Sequence, residues 1–154
     1  MSIKNLKAKR DRLTTVIKVR KIEFDRELLQ LEQIRQEKLQ RLATLRENQR
    51  KYVSGVDDLN KMRNDCDLSR LSLLESSLDY VKQKWQEALA AFRDAERAEK
   101  LQIRVVLKAK QDLKSVEKVS EKYEVEIGSL ANRAEQKQLD EIAILSEGHN
   151  QQNS

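Results

Sequence analysis

The residue types that most often do chemistry are scarce in this chain of 154 residues. His149 is the only histidine and Cys66 the only cysteine, 83 positions apart. His149 sits in the polar stretch "EGHNQQNS". Together they supply neither a nucleophile with its base nor the clustered ligands that hold a metal. A single cysteine allows no internal disulfide and fits a reducing compartment. There is no Gly-rich phosphate loop and no Ser-centred turn motif. Carboxylates are plentiful, but they are spread along the chain as on a solvated helix face. No catalytic, metal-binding or cofactor-binding residue is assigned, and the chain is expected not to be an enzyme.

Composition says what must position the remaining candidates. Charged residues make up 37% and aromatics 4%, with three Gly and no Pro. That balance belongs to long helices and coiled coils rather than to a packed globule. No run approaches the ~18 apolar residues that span a bilayer. The opening "MSIKNLKAKRDR" has no apolar core of a secretory signal, so a cytosolic protein is expected.

The second half carries the clearer periodicity. Steps of seven from Leu71 give Leu71, Leu78, Trp85, Phe92, Glu99, Val106, Leu113, Ser120, Ile127, Ala134 and Glu141. Three residues on, the companion line runs Leu74, Val81, Ala88, Ala95, Gln102, Ala109, Val116, Tyr123, Leu130, Lys137 and Ile144. Seventeen of these twenty-two are apolar, the mark of a coiled-coil seam. The first half is weaker. One line is Ile3, Arg10, Ile17, Phe24, Leu31, Lys38, Leu45, Tyr52, Leu59 and Cys66. Its companion begins with Leu6 and Leu13, then reads Leu28, Arg35, Leu42, Gln49, Val56 and Arg63. That reading implies a one-residue register adjustment near Phe24. Ile34, Leu39, Met62, Leu73, Leu89, Ile103 and Val105 fall outside these lines, as seam flanks or surfaces for another protein.

Between the halves lies "RNDCDLSR", where Asn64, Asp65, Asp67 and Ser69 favour caps and turns over helix interiors. Asp65 or Asp67 can cap a new helix, and Ser72 with Glu75 offers a capping box. The rival break, Gly55 in "YVSGVDD", would leave the second helix overhanging by some forty residues. Charge favours turning back. Eight basic residues up to Lys21 face one acid, Asp11, whereas Glu124 to Glu147 holds six acids against Arg133 and Lys137. A turn at 64–68 also sets Arg35 and Lys38 opposite Glu96 and Glu99, and Tyr52 near Tyr80. The expected fold is all-α, a long antiparallel two-helix coiled-coil hairpin forming a single elongated domain. Helix 1 covers about 3–63, the turn about 64–69 and helix 2 about 70–146, with a frayed tail at 147–154.

This pattern resembles the YscO/FliJ family of central-stalk proteins in type III secretion and flagellar export. The resemblance covers the chain in length, charge order and turn position, and is sharpest in "ENQRKYVSG" and "RNDCDLSRLSLLESSLDYVKQKW". It implies a non-enzymatic stalk without cofactors, similar to the coiled coil of a rotary ATPase gamma subunit. Its partners would be the hexameric secretion ATPase, the cytoplasmic domain of the export gate, and for some members export chaperones. Lys4, Lys7, Lys9, Arg10, Arg12, Lys18 and Arg20, with the acidic stretch from Glu124 to Glu141, would enter the ATPase pore. Leu45, Tyr52, Leu74, Leu78, Val81 and Trp85 match the gate-binding face, although the same positions also pack a seam. Asn48 departs from the family's pattern, where a second aromatic is expected. The implied protein is a cytoplasmic monomer, peripheral at the secretion apparatus, without nucleic acid or membrane insertion.

Two other readings stay open: a generic scaffold built as a parallel dimer of continuous rods, and a basic rod that binds nucleic acid. Spin labels at Ile17→Cys and Leu113→Cys, on a Cys66→Ser background and diluted in excess unlabelled protein, separate hairpin from straight rod. The hairpin gives a mean distance of about 10–20 Å, one helix separation plus label arms. No short distance under dilution rules the hairpin out.

Overall fold

A computed structural model describes residues 2–64 and 67–152. They form two helices, α1 at Ile3–Met62 and α2 at Leu68–Gln152, packed against each other as a helical hairpin. The readings made for Asp65 and Cys66 lie outside the described residues. α2 continues through Gln152, beyond the expected end near residue 146.

Both helices begin at a side chain suited to the task. Ser2 caps α1, its hydroxyl accepting the Asn5 amide at 3.2 Å. Asp67 caps α2: its carboxylate accepts the Ser69 amide at 3.1 Å and its carbonyl the Leu71 amide at 2.9 Å. Asp67 is therefore the helix cap, one of the two residues that the sequence offers for that place.

Contacts divide the chain into two compact units. Unit 1 comprises Met1–Asp25 with Lys108–Ser154, and unit 2 is Arg26–Leu107. In unit 1, the first stretch of α1 packs on the later part of α2. Leu6, Leu113 and Ile127 are its buried residues, and Ile3, Leu13, Ile17, Phe24, Val116, Tyr123 and Leu130 are half-buried around them. From Ala131 to His149 every residue of α2 is exposed, Ile144 included. The heptad lines continue through Ala134, Lys137, Glu141 and Ile144, but the expected seam does not. Among the described residues, none of α1 covers this stretch of α2.

Unit 2 joins the later part of α1 to the first part of α2. Leu31, Leu59, Ala88, Ala95 and Val106 are buried. The inward positions of α1 are Glu27, Leu31, Ile34, Lys38, Arg41, Leu45, Asn48, Tyr52, Gly55 and Leu59, alternating steps of three and four. With Leu6, Leu13 and Arg20 in unit 1 this is one unbroken heptad line along α1. The expected register adjustment near Phe24 is absent. Leu28 is 40% exposed, and Arg35, Gln49 and Arg63 face solvent. Leu42 and Val56 are half-buried flanks.

Polar groups on that line are satisfied across the helix pair. Gln102, the one buried polar residue at 7% exposure among the described residues, donates its amide to the Glu27 carbonyl at 3.0 Å. The same amide donates to Glu27 Oε2 at 2.6 Å. Lys38 lies 3.5 Å from Glu99, as the sequence pairing requires, whereas Arg35 is exposed. Arg41 Nη1 donates to the Ala91 carbonyl at 2.8 Å. Small residues at Ala88, Ala91 and Ala95 keep α2 slim where α1 brings Lys38 and Arg41 inward. No buried side-chain nitrogen or oxygen among the described residues lacks a partner. Each of these bonds is worth only about 1 kcal/mol net, but an orphaned partner costs ~1–3 kcal/mol.

That asymmetry can be measured. Gln102→Leu strands the Glu27 carboxylate at an apolar neighbour and should lower stability by about 1–3 kcal/mol in urea unfolding. Glu27→Leu combined with Gln102→Leu should recover most of that loss. Equal, additive losses from the two changes would mean that the pair is not coupled.

Candidate functional site

Each unit carries one of the surfaces that the sequence singles out. In unit 2, Tyr52 on α1 stacks on Trp85 of α2, with ring centroids 5.2 Å apart and planes inclined by 30°. Offset pairs of this kind stabilise by roughly 0.5–1.5 kcal/mol beyond their burial. Tyr80, expected near Tyr52, points outward instead and is 61% exposed, with the Lys84 ammonium 5.4 Å from its ring centre. On α2, Trp85 holds a seam position and Tyr80 does not, so the heptad decides which aromatic turns inward.

Gly55 occupies an inward position of α1 at Leu78 of α2. A Cβ built there would lie 2.8 Å from Leu78 Cδ1, so the leucine fills the space that a larger residue would take. Beside this glycine opens a groove of about 820 Å³, lined by Leu74, Leu78 and Val81 together with Glu47, Arg50 and Lys51. Leu45, Tyr52, Leu74, Leu78, Val81 and Trp85 are all half-buried. They pack the seam and still present edges to solvent. Asn48 is half-buried too, its amide donating to the Thr44 carbonyl at 2.9 Å along its own helix. A carbonyl one turn back satisfies it, in the place of a second aromatic.

The most exposed apolar side chains of this region fall outside the heptad lines. Leu68 is 82% and Leu73 73% exposed. Leu73 also lines a recess of about 360 Å³ with Met62, Leu74 and Ser77. Leu73 stands out in sequence as an apolar residue at an outward position. The same signal marks Leu68 and Tyr80, which periodicity alone passes over.

In unit 1 the basic residues divide by heptad position. Lys4, Lys7, Arg12 and Lys18 are exposed, while Lys9, Arg10 and Arg20 are half-buried. Arg10 reaches across to Glu124 at 3.4 Å and along its own helix to Asp11 at 3.4 Å. Arg20 lies 3.1 Å from Glu23. Opposite charges on α1 and α2 thus meet at Arg10, as the charge distribution anticipates. No group of His, Cys, Asp or Glu among the described residues could hold a metal ion. One of these surfaces is apolar with a charged margin, and the other is cationic.

A family model described as the flagellar FliJ protein matches residues 9–152, which takes in most of both units. The chain belongs to the flagellar FliJ protein family. It is therefore a protein of flagellar or type III export, from a family that is a non-catalytic part of that apparatus. No curated protein and no solved structure matches it. None of the described helices of this FliJ-family chain is long and apolar enough to cross a membrane.

The Gly55 site gives a test that depends on the background at Leu78. Gly55→Ala gains about 1 kcal/mol of helix propensity, but the new methyl displaces Leu78 at a cost of the same order. Its net effect on thermal unfolding should be small. On a Leu78→Ala background the obstacle is gone, and the same substitution should stabilise by about 1 kcal/mol. Equal effects in the two backgrounds would show that Leu78 does not limit the site.

Proposed function

We propose that this chain is the non-enzymatic central stalk of a type III export system. It binds the hexameric export ATPase through unit 1 and the cytoplasmic domain of the export gate through the groove beside Gly55. The observation that carries this reading is the family match across residues 9–152. The two surfaces support it by their chemistry. Exposed Lys4, Lys7, Arg12 and Lys18 suit a pore that offers acidic groups. Leu74, Leu78 and Val81 suit an apolar side chain from a partner, with Glu47, Arg50 and Lys51 to fix its orientation. Within each unit the inward stripe of one helix meets that of the other, so the chain needs no second copy and acts as a monomer. Exposed Leu68, Leu73 and Tyr80 leave room for an export chaperone in the same unit. The stalk works at the cytoplasmic face of the apparatus.

The test uses the cognate ATPase and gate domain, both purified. The chain should run as a monomer by light scattering and raise ATPase turnover in a saturable way. Leu74→Ala with Val81→Ala should weaken gate binding about tenfold, as loss of groove anchors does, and leave ATPase stimulation intact. A chain that neither stimulates the ATPase nor binds the gate would end this reading.

A further inference from the structure

The middle of unit 2 is held together by a different kind of contact from its two ends. At one end Leu31 of α1 and Val106 of α2 are buried, and Gln102 is bonded to Glu27 beside them. At the other end Leu59 is buried and Tyr52 stacks on Trp85. No residue of α1 between Leu31 and Leu59 is buried. Between Ile34 and Leu45 the inward line of α1 carries only Lys38 and Arg41. The facing stretch of α2 offers Ala91, Ala95, Ala98 and Glu99, and of these only Ala95 is buried. Leu45 and Phe92, both half-buried, close this stretch on the side of the Tyr52–Trp85 stack. The stretch is about 15 Å long.

Its cohesion is polar. Lys38 lies 3.5 Å from Glu99, and their side chains are 30% and 19% exposed, so water and salt reach the pair. Arg41 Nη1 donates to the Ala91 carbonyl at 2.8 Å. In an α-helix that same carbonyl accepts the Ala95 amide. A side chain that shares a ladder acceptor loosens the helix at that turn. Alanine methyls bury little apolar area, so the hydrophobic effect adds little here. Few buried apolar contacts and hydrogen bonds within reach of water are the marks of low local stability. We infer that the Lys38–Arg41 layer is a compliant joint within unit 2, its stiffness set by charge rather than by apolar packing. The Leu31–Val106 end and the Tyr52–Trp85 end keep their seams while the helices loosen and bend between them. The groove beside Gly55 lies on the Tyr52–Trp85 side, so a load applied there is taken up at the joint before either seam breaks. Ionic strength tunes the joint, because screening weakens the Lys38–Glu99 pair and leaves the flanking apolar layers intact. The inference goes beyond the stalk reading and does not depend on it.

Hydrogen exchange of the full chain, read by mass spectrometry, tests this without any partner. Peptides covering 34–45 and 91–99 should show protection factors at least about tenfold below those covering 52–59 and 102–107. Added sodium chloride should lower protection further in the first pair and leave the second pair unchanged. Lys38→Leu/Arg41→Leu/Glu99→Leu removes the charged partners together, so none is left orphaned in the seam. That variant should bring the stretch up to the protection of its flanks. The milder Lys38→Gln/Glu99→Gln keeps the side-chain shapes, and its exchange should no longer respond to salt. Equal protection along the wild-type unit would leave Lys38 and Arg41 as register markers in a rigid seam, and the inference would fall. It would fall as well if protection is low but neither salt nor the two variants change it, because charge would then not set the stiffness.

Discussion

A pair of helices without a third layer can bury one stripe on each, and the two stripes must keep facing each other. Everything else here depends on that constraint. The inward residues of α1 and α2 advance in alternating steps of three and four, the 3.5-residue period that holds a stripe toward its partner. Once the period is kept, the identity of each inward residue becomes secondary. Glu27, Arg41, Asn48 and Gly55 all point inward because position requires it, not because they are apolar.

This explains which parts of the fold were legible in the sequence. The α2 seam from Leu71 to Leu130 is nearly continuous in apolar residues, so spacing and hydropathy agree and either one locates it. On α1 they disagree. Leu28, Leu42 and Val56 lie one residue beyond Glu27, Arg41 and Gly55, and a reading that follows hydropathy shifts by one and infers a register adjustment that is not there. The strict spacing from Leu6 and Leu13 was the better guide. The end of the seam at Leu130 was not legible at all. Ile144 and Ala134 satisfy the heptad as well as Ile127 does, yet both are exposed among the described residues. At the candidate site the heptad turns Tyr52 and Trp85 inward, but the pairing set by the turn put Tyr52 near Tyr80, and the stack on Trp85 was not legible. The groove beside Gly55 depends on side-chain shape, which periodicity does not carry.

The two helices also divide the work of specificity. α2 brings small and apolar side chains, Ala88, Ala91, Ala95 and Val106. α1 brings long polar ones, Lys38 and Arg41, that end on a carboxylate and a backbone carbonyl of α2. Replacing such groups by leucine would add apolar contact but remove the features that distinguish the correct pairing from a pairing slipped by a heptad. Such contacts favour one alignment of the paired helices over its neighbours.

Trp85 is the only tryptophan in the chain, and its indole lies against the Tyr52 ring in the layer next to Gly55 and Leu78. Excitation at the red edge of aromatic absorption therefore addresses a single layer of a single unit. Any rearrangement of that layer changes the polarity around the indole and shifts its emission. The protein thus carries its own optical probe of that layer.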